Sequence, residues 1–151
     1  MVKRFFNGRL NWSVHLIFVL GVLLIVYLSW KSNPNLKELE FIPDWLSNWT
    51  DQDRNNRRRT AVPFVGLGLF TGVQLIFLKQ TRLFRWILAW VILALIVCIA
   101  EAGQYFFPSR TPDIKDFMWG SAGAGVGLVI PVIAWQSIST IKTIFRENTN
   151  E

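Results

Sequence analysis

The chain reads as an all-α integral membrane protein, a bundle of four spanning helices, and three observations predict this. Its apolar residues arrive in four blocks, without the 3.6- or 2-residue periods of a soluble helix or strand. They make up 52% of a chain of only 151 residues, and mean hydropathy is +0.33. Eight Trp and twelve Phe suit a protein with two membrane interfaces, where amphipathic rings settle at headgroup depth. The length favours one domain.

About twenty apolar residues are needed to cross roughly 30 Å of hydrocarbon. Four stretches qualify, at about 13–30, 61–78, 84–100 and 117–138, and none carries Lys, Arg, Asp or Glu in its middle. Backbone groups in lipid must be satisfied within the segment, so each is expected to be a helix. Lys3, Arg4 and Arg9 precede the first stretch as they would precede the core of a signal peptide. Leu28-Ser29-Trp30-Lys31, however, offers no small-x-small cleavage site, which predicts an uncleaved anchor.

The first span closes at Lys31, Ser32, Asn33 and Pro34. Phe41-Ile42, Trp45 and Trp49, in the connection that follows, suit a short amphipathic stretch lying along the interface. Thr60 is a candidate cap for the second span, with Pro63 in its first turn, where the missing N–H costs nothing. The basic turn from Lys79 to Arg85 is too short for anything but an antiparallel hairpin of spans two and three. Pro108 and Pro112 forbid a continuous helix between spans three and four.

Small residues predict how the helices meet. Gly66, Gly68 and Gly72 are expected to line one side of span two, and span four carries Gly120, Ser121, Gly123, Ala124, Gly125 and Gly127. Gly123 and Gly127 have the GxxxG spacing that lets membrane helices approach closely. Internal packing is the expected use, with a homodimer as the alternative. Cys98, alone within an apolar run, is expected to be a buried, inert packing residue. His15 is expected to be a polar anchor at the start of the first span.

Alternating spans put the two longer connections on one side and both termini with the short turn on the other. Lys and Arg divide eight to eight between the sides. Eight acids accompany the connections, and only Glu147 and Glu151 accompany the termini. The first helix usually dominates orientation, and three cations stand before it, so N-in, C-in is expected. Basic residues placed this way speak for lipid and topology rather than nucleic acid.

The densest polar chemistry lies between spans three and four. Glu101, Gln104, Arg110, Asp113 and Asp116 fall within sixteen residues at the edge of the apolar blocks. Charge held there is costly and marks a functional-site hypothesis. Glu101 and Gln104 share a helix face by their spacing of three, as do Asp113 and Asp116. The second pair suits a helix N-terminus, where carboxylates complement the macrodipole. These groups form either a structural network or a ligand pocket, since an Arg flanked by carboxylates can bind phosphate or simply pair with the acids. Arg57, Arg58 and Arg59 share the same side, and suit either anionic lipid contact or a solvated collar. No catalytic residue, metal site or cofactor motif is found.

The string Glu101-x-x-Gln104, then Pro108-x-Arg110-x-x-Asp113-x-x-Asp116 and Gly123, resembles the VanZ-like family of small bacterial membrane proteins. Phe64 and Gly68 are similar to that family's aromatic-x-x-x-Gly pattern in the second span. The family's usual Asn, four residues after the second Asp, is Gly120 here, and its Asp-Lys-x-x-His before span two is replaced by the arginine-bearing 51–60 stretch. A family reaction that required that His would be closed to this chain. The resemblance implies one VanZ-like transmembrane domain over 1–151, with its motif region at about 45–138, in the bacterial cytoplasmic membrane. It further implies an accessory of cell-envelope, exopolysaccharide or glycopeptide-resistance systems.

The expected occupant of an outward pocket is an anionic lipid, a polyprenyl phosphate or a lipid-linked glycan. The alternatives are a membrane enzyme acting on such substrates and a structural subunit of a larger membrane assembly.

Overall fold

The computed structural model describes residues 2–31, 43–50, 52, 56–108 and 112–148. Among them are five α-helices: α1 (Val2–Trp30), α2 (Asp44–Thr50), α3 (Asn56–Phe77), α4 (Leu83–Gly103) and α5 (Ile114–Asn148), with a 3-10 turn at Gln104–Phe106. Four are long and apolar enough to span, through Trp12–Trp30, Thr60–Phe77, Leu83–Phe106 and Ile114–Thr140. The expected all-α four-helix membrane bundle is therefore the observed architecture. The short α2 holds Trp45 and Trp49 of the stretch expected to lie along the interface, while Phe41 and Ile42 lie outside the described residues; its Ser47 is buried and Trp45 is exposed.

The helices reach beyond the apolar blocks, and this corrects one boundary. α3 begins at Asn56, so Arg57, Arg58 and Arg59 belong to its first turn rather than to a segment before it. Arginine is a good helix former, and no Gly or Pro interrupts the run until Pro63. Thr60 consequently lies inside the helix and does not cap it. Pro63 stands in the interior, where its ring removes the N–H that would have met the carbonyl of Arg59.

The α3–α4 turn is built by backbone hydrogen bonds. The N–H of Gln80 reaches the Leu75 carbonyl and that of Lys79 reaches Ile76, both at 2.9 Å. This is a Schellman closure, with Lys79 at φ 52 in the position that glycine usually takes. The indole N–H of Trp86 donates to the Gln80 carbonyl at 3.0 Å and ties the turn to α4.

The most extensive packing joins α3 to α5, although α3 and α4 are the pair joined by the hairpin. α3 and α5 run parallel, because one span separates them in the chain. A Cβ added at Gly123 would meet the Ala61 carbonyl oxygen at 2.6 Å, and one at Gly72 would meet that of Leu128 at 2.8 Å. One at Gly127 would collide with the Val65 carbonyl, and one at Gly68 with that of Ala124. Two GxxxG stripes, 68/72 and 123/127, thus bring backbone against backbone, and dispersion at this closeness supplies the attraction that lipid does not. Gly66 stands apart from this contact: a Cβ there would meet nothing within 4 Å. Two residues from Gly68 on a helix is about half a turn, so the two cannot face the same way.

α4 completes the core with Leu93, Val97 and Ala100, beside Phe64 and Leu67 of α3 and Ala124 and Leu128 of α5. The indole of Trp90 donates to the Ser121 carbonyl at 3.0 Å, where Gly125 leaves room for the ring. Ser121 itself is buried among these packed helices. Cys98 proves to be exposed, against the expectation that it is buried. The inward stripe of α4 runs through 93, 97, 100 and 101, and Cys98 lies about 100° round from Val97, on the side left for lipid.

α1 is the most loosely attached span. Phe18 stacks on Phe70 with centroids 6.4 Å apart, and Gly21 sits beside Leu67. Its firmest attachment is at the far end, beside Glu101.

Candidate functional site: a buried acid–amide pair

Glu101 closes the inward stripe of α4 and Gln104 opens the 3-10 turn, each only 8% exposed. Their spacing of three puts them on one face, as expected, and the amide Nε2 of Gln104 donates to Glu101 Oε2 at 3.1 Å. The same nitrogen donates to Ser29 Oγ on α1, also at 3.1 Å.

The change from α-helix to 3-10 turn creates a second junction. The backbone N–H of Gln104 turns to the carbonyls of Glu101 and Ala102, away from Ala100, its partner in a regular α-helix. The Ala100 carbonyl then serves α1, accepting from Ser29 Oγ at 3.1 Å and from Trp30 Nε1 at 3.0 Å. Gly103 is what admits the indole, since any Cβ there would collide with the Trp30 ring. Phe107 flanks the same ring at 6.5 Å between centroids.

The remaining predicted residues divide. Asp113 is exposed and starts α5: its carbonyl accepts from the N–H of Asp116 at 2.9 Å, and its Oδ1 from the N–H of Lys115 at 2.9 Å. That is a capping role. Asp116 is half-buried in the first turn of α5. Its height follows from the antiparallel register of α4 and α5. Gly120 lies against Val97, and one turn toward the connection on each helix stand Asp116 and Glu101. Phe64 also lies against Gly120, which brings the start of α3 to the same end of the bundle. Arg57, Arg58 and Arg59 occupy that start as backbone, and their side chains lie outside what is described. Arg110 lies outside the described residues.

Ser29, Trp30 and Gly103 escaped sequence reasoning. Ser29 and Trp30 read only as the end of the first span and as part of a stretch without a cleavage site, and Gly103 carried no reading. The one available signal was the glycine lodged between Glu101 and Gln104.

Chemically, the cluster presents a carboxylate and an amide at the rim of the bundle, with arginine-bearing backbone nearby. Among the described residues, no group of three or more His, Cys, Asp or Glu is placed to hold a metal ion. The VanZ/LLP1 family model matches residues 12–135, which takes in the first three spans, most of the fourth and the whole cluster. No curated protein and no solved structure matches the chain.

Proposed function

This chain belongs to the VanZ/LLP1 family, and we propose that it is a cell-envelope accessory of the bacterial cytoplasmic membrane that holds an anionic lipid or lipid-linked glycan at the Glu101–Gln104 end of its bundle. The observation that carries this reading is the buried carboxylate–amide pair. Polar groups so close to hydrocarbon are expensive, and a purely structural helix end would be capped more cheaply by backbone and solvent. The arginines that begin α3 stand at the same end of the bundle, and guanidinium groups are suited to phosphate. With both termini in the cytoplasm, this end faces outward, toward envelope substrates.

The reading is tested by native mass spectrometry of the detergent-solubilised protein with undecaprenyl phosphate and pyrophosphate. Wild type should retain these lipids selectively, while Arg110→Ala and Glu101→Gln should lose them. Equal retention by all three would overturn the reading and leave the cluster as a helix-docking network.

A membrane enzyme acting on the same lipids is the second reading, favoured by the equal height of Glu101 and Asp116. Two carboxylates at one level suit general acid–base work. In an enzyme, Asp116→Asn would abolish turnover of the bound lipid while leaving its retention intact. In a binder, retention itself would fall.

A further inference from the structure

We infer that Gln104 Oε1 reads a hydrogen-bond donor on the bound headgroup, so that the site prefers a hydroxylated, glycosylated lipid phosphate over the bare phosphate. This inference rests on the lipid-binding reading above and adds what part of the ligand meets which atom.

The direction of each hydrogen bond decides which atom of the amide is left over. Ser29 has one hydroxyl hydrogen, and it is spent on the Ala100 carbonyl. Ser29 Oγ must therefore accept from Gln104, which commits one amide hydrogen. Glu101 Oε2 takes the other. An amide has two hydrogens and no more, so Gln104 has no donor left. The reverse orientation of the amide would set Oε1 against a carboxylate, acceptor to acceptor. The remaining polar atom of Gln104 is the carbonyl Oε1, and among the described residues no donor reaches it.

That oxygen is also not fully enclosed. Among the described residues, the side-chain atom that is fully enclosed without a partner is Ser121 Oγ, so Gln104 Oε1 keeps contact with the exterior. A carbonyl in a residue only 8% exposed has little water to satisfy it. It is an acceptor held at a fixed angle by two hydrogen bonds behind it. Phosphate oxygens are acceptors and would be turned away, whereas a sugar hydroxyl or a primary ammonium would be taken. The phosphate of the ligand then belongs toward the arginines, and its sugar toward α1.

One neutral hydrogen bond made in such a site corresponds to about a tenfold preference. The test compares undecaprenyl phosphate with undecaprenyl phosphate carrying one hexose, in nanodiscs of phosphatidylglycerol, for wild type, Gln104→Met and Ser29→Ala. Wild type should hold the hexosyl lipid about tenfold more tightly. Gln104→Met, close in volume, should bring the ratio near one while still binding the bare phosphate. Ser29→Ala loosens α1 and frees one amide hydrogen but keeps Oε1, and should lower the preference without abolishing it. That variant separates loss of the acceptor from loss of the α1 junction.

A ratio near one in wild type with both lipids bound overturns the inference and leaves the lipid-binding reading standing. A ratio unchanged in Gln104→Met also overturns it. If wild type binds neither lipid, the reading beneath it falls as well. A competition arm with phosphatidylethanolamine distinguishes the donor's source: displacement of the hexosyl lipid assigns an ammonium, and none assigns the sugar.

Discussion

The indole N–H of Trp30 donates to the backbone carbonyl of Ala100 across 3.0 Å, joining the end of the first span to the end of the third. That carbonyl is available because Gln104 has tightened into a 3-10 turn and withdrawn the N–H that would have occupied it. The polar cluster and the docking of α1 are therefore one structure. What orients Glu101 and Gln104 also holds the most weakly packed helix in place.

Trp30→Phe keeps a ring over Gly103 but removes the donor. Hydrogen bonds between membrane helices are worth on the order of 0.5–1 kcal/mol, so a modest fall in stability is expected. Gly103→Val, which forces the ring away, should cost more. Thermal unfolding in detergent, followed by the surviving monodisperse fraction, orders the two. A Gly103→Val protein as stable as wild type would contradict the docking described.

The glycines of α3 and α5 should respond very unequally. Gly127→Leu drives a side chain into the backbone of α3 at Val65 and should cost at least the roughly 1–3 kcal/mol of ordinary overpacking. Gly66→Leu meets open space and should leave stability within about 0.5 kcal/mol of wild type. The same thermal assay distinguishes them, and similar losses at both positions would count against the α3–α5 interface.

Lys79 holds a left-handed conformation at φ 52, which costs a non-glycine residue roughly 1–2 kcal/mol. Lys79→Gly removes this cost but gives the unfolded chain more freedom, which takes back part of the gain. A net stabilisation of about 1 kcal/mol is expected, seen as a higher melting temperature. A lower one would mean that the Lys79 side chain makes contacts that matter more than its backbone.

Green fluorescent protein fused to the C-terminus should fluoresce, and alkaline phosphatase there should be inactive, if both termini are cytoplasmic. The opposite pair of results would turn the Glu101 end inward and direct the search for ligands to the cytoplasm.

Much of the architecture was legible in the residues themselves. Lipid leaves so few options for the backbone that four charge-free apolar blocks become four helices, and Pro108 with Pro112 ends one helix before the next begins. Glu101 and Gln104 were readable as a pair because a spacing of three fixes a shared face. Gly66 and Cys98 were misread for a related reason. Composition says that a helix carries small or apolar residues, but only neighbours decide which of them face inward.

What the sequence determined on its own is therefore local and periodic: the spans, their alternation, the hairpin and the polar end of α4. Only the tertiary structure decided that α3 takes α5 as its chief partner and that Ser29 and Trp30 complete the acid–amide cluster. Those contacts join residues about sixty to seventy-five positions apart. Such pairings depend on backbones that can come close and on a carbonyl released by a change of helical pitch. The GxxxG spacing of one segment marks a backbone that can come close but not the partner it meets, and the released carbonyl is written in no spacing at all.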